Sequence, residues 1–414
     1  MNTTLKILAF LFIVCASVQA QVVPAATGPR GGLAVGPNFH YAFRYAQTAQ
    51  FGGNIGSWQT SSPSASVEYT NGNERRPFTL DYSGGYTWTL TGPTYETGLF
   101  QHLYLSQDFA WRKWKVLASD DVSYLPQAPT TGFSGIPGIG EPIGVTNPNP
   151  NPSNSQSILT LNTHVIDNIV VGEIGHNLNF ATTLTGGGRS ELVRYPNGDG
   201  LNMNTQTGTA KLNWRLNARN SILCNYVFSD YGFPDFYNIN FLTNTALVGI
   251  QHQWSRNLTT IASAGPQWVS SSDQGAVPSS TNVSVSAAVN YLLRSTTASI
   301  SYARGTNGGA GYLVGGEVDM VQGNFSHRFG MNATIGLTGG YERTAGLTNN
   351  GVTNSKFGEA QFTRQIGRGL NVFANYTGTD QTSTSNLPTN ALGQLLQVIG
   401  FGIGYSPREK HIRR

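Results

Sequence analysis

From Phe78 to Leu90 the chain reads Phe-Thr-Leu-Asp-Tyr-Ser-Gly-Gly-Tyr-Thr-Trp-Thr-Leu, and no other stretch restricts the fold so tightly. Phe78, Leu80, Tyr82, Tyr86, Trp88 and Leu90 hold alternate positions, with Thr79, Asp81, Ser83, Thr87 and Thr89 between them. Successive side chains on a strand point to opposite faces, so this strand has one aromatic, oily face and one polar face. Globular strands run ~5–6 residues, whereas a tilted strand that crosses a bilayer needs ~9–11. The segment meets the second length.

The same alternation recurs along the chain. Asn38 to Tyr45 reads as a first strand, and Ala65 to Thr70, starting past Pro63, as a second. Asn71-Gly72 is a hairpin-turn signal ahead of Phe78. Residues 99–111 and 114–125 make a hairpin around Arg112-Lys113, with Trp111 and Trp114 placed for a membrane–water boundary. Farther on, short turns fall at Arg219-Asn220, Arg256-Asn257, Arg294-Ser295, Gly330 and Gly367-Arg368, spaced by 37, 38, 36 and 37 residues. Each interval holds two strands, a tight turn and a longer polar linker. Val283, Val285, Val289 and Tyr291 alternate with Ser284, Ser286 and Asn290, and Ala210, Leu212 and Trp214 alternate with Lys211, Asn213 and Arg215. A last strand occupies 394–405, with Ile399, Phe401, Ile403 and Tyr405 on one face and glycines on the other.

Composition supports a membrane wall. Only 11% of residues are charged, where a soluble domain carries roughly 25%. The polar faces are mostly Ser, Thr, Asn and Gln, which suit a water-filled lumen. A sandwich or a propeller also uses alternating strands. A blade, however, packs four short strands into ~40–45 residues, and a sandwich shows more charge outside. The fold expected is all-β: a transmembrane antiparallel β-barrel of about eighteen strands, sixteen being the lower count.

The chain ends add an address. Met1 to Lys6, an apolar run from Ile7 to Val14 and small residues up to Ala20 describe a secretory signal peptide cleaved after residue 20. Its loss removes Cys15 and Lys6, leaving Cys224 without a disulfide partner and 24 Lys and Arg against 21 Asp and Glu. So small a surplus does not point to nucleic acid. Residues 21–37 read as a periplasmic lead-in, 38–405 as the barrel and 406–414 as a basic tail beginning at Ser406-Pro407.

The stretches Val122 to Ile139, Gln253 to Thr260 and Ala264 to Trp268 resemble a porin-like group of outer-membrane β-barrel proteins of Gram-negative bacteria. The resemblance implies an outer-membrane location and runs over most of the mature chain. That group has no established substrate, so it supplies no site residues.

Two features are candidates for function. Residues 126–156 carry Pro126, Pro129, Pro137, Pro142 and the tract Asn147-Pro148-Asn149-Pro150-Asn151-Pro152, so no central strand passes through them. Phe133, Ile136, Ile139, Ile143 and Val145 are apolar enough to pack against a barrel wall. A lumenal constriction is the leading expectation; an external cap or partner contact, or disorder around the Asn-Pro tract, are the alternatives. The second feature is the charge on polar faces: Asp81, Asp108, Lys211, Arg215, Glu342 and Glu359, which would line a pore. Lys211 and Arg215 share a strand face and suggest an anion-attracting patch. Paired wall charges that tune nothing are the bland reading of the set.

Barrel enzymes need a His beside a Ser or acid. His40, His102, His164, His176, His252, His327 and His411 are scattered without a motif, and no spacing suggests a metal or a cofactor. The function expected is therefore non-enzymatic: passage of small hydrophilic solutes through the outer membrane. A non-conducting barrel whose loops bind an external partner or envelope component is the alternative, ahead of a barrel hydrolase. Expected partners are outer-membrane lipids, the outer-membrane assembly machinery, the solutes and, as in many porins, further copies of the chain.

Overall fold

A computed structural model describes residues 38–52, 57–71, 73, 75–91, 97–125, 128–129, 160–161, 164–198, 200–235, 239–272, 277–309, 313–330, 332–348, 351–384, 395–406 and 410–411. The proposed signal peptide and lead-in, and almost all of 126–156, lie outside the described residues.

Every described element is a strand. In chain order they are β1 (Asn38–Gly52), β2 (Trp58–Thr70), β3 (Phe78–Thr91), β4 (Gly98–Ala110), β5 (Trp114–Leu125), β6 (Ala128–Pro129), β7 (Thr160–Leu161), β8 (Val165–Asn177), β9 (Thr182–Arg194), β10 (Met203–Arg215) and β11 (Asn220–Phe233). Then follow β12 (Ile239–Gln253), β13 (Leu258–Ser271), β14 (Ser280–Leu293), β15 (Thr296–Asn307), β16 (Gly316–Phe329), β17 (Ala333–Gly346), β18 (Val352–Gln365), β19 (Leu370–Ser383), β20 (Leu396–Tyr405) and β21 (Lys410–His411). β6 and β7 form a separate two-residue ladder. Each other long strand pairs antiparallel with the next, β5 with β8, and β20 pairs with β1 from Phe43↔Tyr405 to Gly52↔Leu396. The sheet thus closes into an 18-stranded barrel. A 13-residue strand such as β4, inclined by about 45°, covers about 30 Å, the thickness of a bilayer's hydrocarbon core.

Connections divide by side. The turn side carries short links such as 111–113, 216–219, 254–257 and 294–295, and the loop side the longer ones, with 126–164 third in order. The short turns share one chemistry. Asn179 and Asn217 accept hydrogen bonds on Oδ1 from the backbone N–H groups two and three residues on, as Ser255 does on Oγ. Such Asx- and Ser-closed turns satisfy groups that the sheet leaves unpaired. The link at Asn71 departs from the expected two-residue hairpin. It spans 71–77, closed by Asn71 Oδ1 accepting from Asn73 and Phe78 N–H and by Asn73 Oδ1 accepting from Arg75 and Arg76 N–H.

Three boundaries differ from the sequence expectation. β1 continues to Gly52 because its pairing with β2 and β20 carries the strand past Tyr45. β2 starts at Trp58 and runs through Pro63, which pairs with Tyr45 on one side. The ladder to β3 skips from Ser61↔Trp88 to Ser64↔Gly85, as a residue without N–H requires. The tail is not wholly strand-free, since Lys410–His411 adds to the start of β1.

The two faces of the wall separate as the alternation predicts. Tyr82, Tyr86, Trp88 and Leu90 of β3 are exposed outward at 39–49%, while Thr87 between them is 4% exposed. Phe39, Tyr41, Phe43 and Tyr45 do the same on β1, and Ile399, Phe401, Ile403 and Tyr405 on β20. Trp111 and Trp114, joined by the Trp111 N–H to Trp114 C=O bond of 2.8 Å, flank a turn at the rim.

The interior is partly filled at the loop side. Val165, Val193, Tyr195, Met203, Tyr231, Phe233, Ile239, Phe241, Val269, Val277 and Val314 form one buried apolar cluster along the mouths of β8–β17. Tyr231 and Phe241 stack at 4.7 Å between ring centroids. Gly315, at φ +71°, lets the chain bend over them: a Cβ there would lie 2.9 Å from the Phe241 ring.

Candidate functional site

A closed sheet with an apolar outer face and a polar inner one leaves no backbone edge for lipid to desolvate, and its strands have the length to span a bilayer. The chain is a membrane-spanning β-barrel of the outer-membrane type. Neither a protein-family model nor a curated protein matches it. Among solved structures it is similar to Pseudomonas aeruginosa OccK7 (OpdD), at 12% identity and a TM-score of 0.45 over 89% of this chain and 98% of that one. It is similar to P. aeruginosa OccK2 (OpdF) in complex with glucuronate, at 13% identity and a TM-score of 0.47, covering 91% and 99%. Acinetobacter baumannii OccAB3 matches at 10% identity and a TM-score of 0.47, covering 90% and 99%. Likeness of this degree says nothing of what the barrel admits, and the inner wall has to be read for itself.

Register decides which charges face inward. Phe100 is fully buried opposite Gly85, and from that pair the inner positions propagate strand by strand. Asp81, Asp108, Lys211, Arg215, Glu342 and Glu359 all fall on the inner face. They do not form one group. Asp108 lies 3.5 Å from Lys115, and Lys211 lies 3.4 Å from Glu173. Arg215 is at the turn, donating to the Phe180 carbonyl at 2.8 Å. Lys211 and Arg215 therefore engage separate partners. Glu342 is 3% exposed and accepts from the Thr344 hydroxyl at 2.9 Å, while Glu359 stands between Thr338 and Thr377. Phe133, Ile136, Ile139 and Ile143 lie outside the described residues.

Sequence reading overlooked a second set of inner charges beside Asp81: Arg44, Glu68, Asp121, Asp167, Arg189 and Glu191. His102 and Asp121 meet at 2.9 Å, and Arg189 donates to Glu191 at 2.6 Å. Arg44 sits close enough to Asp81 to interact with it electrostatically. The obstacle was the doublet Asp120-Asp121. One member must face lipid, and only the Tyr104↔Asp121 pairing shows that it is Asp120, which there accepts from Asn168 at 2.8 Å.

The histidines have local partners. His40 meets Ser406 at 2.6 Å, His252 meets Asn220 at 2.6 Å and His327 meets Thr296 at 2.7 Å. Trp114 and His176 pack at 4.0 Å between centroids. Among the described residues no group of three or more His, Cys, Asp or Glu converges to hold a metal ion.

Proposed function

We propose that the barrel is an outer-membrane channel for small hydrophilic solutes. The observation that carries this reading is the inner wall: Ser, Thr, Asn and Gln interspersed with charges on both sides of the lumen, from Asp81, Asp108 and Lys211 to Glu342 and Glu359. Polar groups facing inward stabilise water and ions in a pore, and would cost stability on a face packed as a dry core. The wall groups act by charge and hydrogen bonding, so the reading is of passage rather than of catalysis.

The path is narrow at its loop side. Thr48, Thr60, Thr87, Thr243, Thr353 and Gln381 are inner-face polar residues of that half, and none exceeds 5% exposure. Such burial supports a restricted mouth, and loop 126–156, with Phe133, Ile136, Ile139 and Ile143, is the segment we assign to the narrowing. The oily outer face takes outer-membrane lipid, and the strand end at Tyr405 is the feature offered to the assembly machinery. Further copies of the chain would pack on the same outer face.

Purified protein in a planar bilayer tests the reading. Discrete, voltage-driven conductance steps are expected. Folded, inserted protein without conductance would sink it in favour of a non-conducting barrel that binds through its loops.

A further inference from the structure

Five carboxylates climb the inner wall together. Glu68, Asp81, Asp121 and Glu191 occupy one row of the ladder, through the pairs Glu68↔Asp81, Asp81↔Tyr104, Tyr104↔Asp121, Asp121↔Ile169 and Ile169↔Glu191. Asp167 stands one inner position farther toward the loop side, paired across to Ser123. Because strands lean, the row rises as it crosses them. Glu68 lies two residues from the turn-side end of β2, whereas Glu191 lies nine from that of β9. Neighbouring strands are ~4.8 Å apart, so the row covers about 24 Å of wall.

Among the described residues, fixed cations beside this row are fewer than its carboxylates. Among the described residues Arg44 and Arg189 are the strongly basic inner groups beside it, His102 meets Asp121 at 2.9 Å, and lower on the wall Lys115 and Lys211 are taken by Asp108 and Glu173. Glu68 and Asp81 are directly opposed across a strand pair, with Arg44 within electrostatic reach of Asp81. One carboxylate oxygen of Asp167 is buried and accepts no hydrogen bond. Asp121, by contrast, is 38% exposed and can be reached from the lumen. A row of like charge against low-dielectric walls focuses its field along the pore.

We infer that this staircase makes the pore cation-selective and passes small organic cations, ammonium or guanidinium compounds, from one carboxylate to the next. The inference rests on the channel reading above. It reverses the anion preference that Lys211 and Arg215 suggest when read without their partners.

The test is the reversal potential of wild-type protein in a potassium chloride gradient, followed by swelling of proteoliposomes in arginine or in glutamate. The expected reversal has the sign of potassium, with arginine flux above glutamate flux on the order of ten-fold. Asp81→Asn with Asp121→Asn should lower cation flux and bring both ratios toward one. Asp121→Asn alone, at the member that is reached from the lumen, should act in the same direction. Conductance that is unselective or favours chloride overturns the inference and leaves the channel reading standing. A preference that survives neutralisation overturns it too. Absence of conductance removes both. Should the double variant fail to insert, shown by loss of heat-modifiable migration, the wild-type reversal potential and Asp121→Asn decide.

Discussion

Gly85 shows what a missing Cβ does to the inner wall. It faces inward on β3, and a Cβ built there would lie 2.5 Å from Cζ of Phe100 and still nearer the Pro63 carbonyl oxygen. The Phe100 ring fills the space that the glycine vacates, and it is wholly buried. Gly340 carries Phe357 in the same way, and Gly402 carries Phe373, each the directly opposite residue. A ring laid over a glycine recovers packing and pins register. Phe373 is likewise only 7% exposed. Gly85→Ala should destabilise the barrel by about 1–3 kcal/mol through overpacking. Adding Phe100→Ala should not restore stability, because the Pro63 carbonyl is backbone and cannot swing away. Gly172 is the control: it faces outward with nothing within 4 Å of its missing Cβ, and Gly172→Ala should stay within ~0.5 kcal/mol. Urea unfolding in lipid vesicles, followed by tryptophan fluorescence, measures all three.

Among the elements, the inward cluster at the loop side is the most consequential. Phe241 at the start of β12 is fully buried between Tyr231 and Phe233, with centroid distances of 4.7 and 6.2 Å. Phe241→Ala opens a cavity beside Gly315, which has no side chain to refill it. A loss of about 3–5 kcal/mol is expected. Protease nicking of 308–315 should rise in parallel, and a variant as stable as wild type would show that the mouth tolerates loose packing. Elements also show where reading by alternation succeeds and stops. Phe78–Thr91 was legible because lipid demands a continuous oily face. β2 was legible only from Ala65 onward, because Pro63 looks like a boundary. Only pairing shows that the proline's missing N–H is tolerated in mid-strand, opposite Tyr45 of β1 and in a gap of the ladder to β3.

On the scale of the whole molecule, closure was readable and the site only partly so. Eighteen strands follow from a periodic pattern that each strand repeats, whereas the inner charge row follows from register, a relation between strands that alternation within one of them cannot supply. Asp81 was identifiable alone; Glu68 and Asp121, its row neighbours, were not. The same limit applies to loop 126–156, whose apolar residues name no surface for the packing we propose. Thr48 on β1 is 5% exposed and hydrogen-bonded to Thr60 at 2.5 Å, far more covered than the wall of an open tube would be. If the loop narrows the pore over this half, deleting 127–155 raises single-channel conductance. Thr48→Cys, in a Cys224→Ser background, then reacts with a water-soluble thiol reagent that does not reach it in the full chain. Raised conductance with Thr48→Cys still protected would place the narrowing away from β1. Unchanged conductance and unchanged labelling would assign it to the wall and to the apolar cluster along β8–β17 instead.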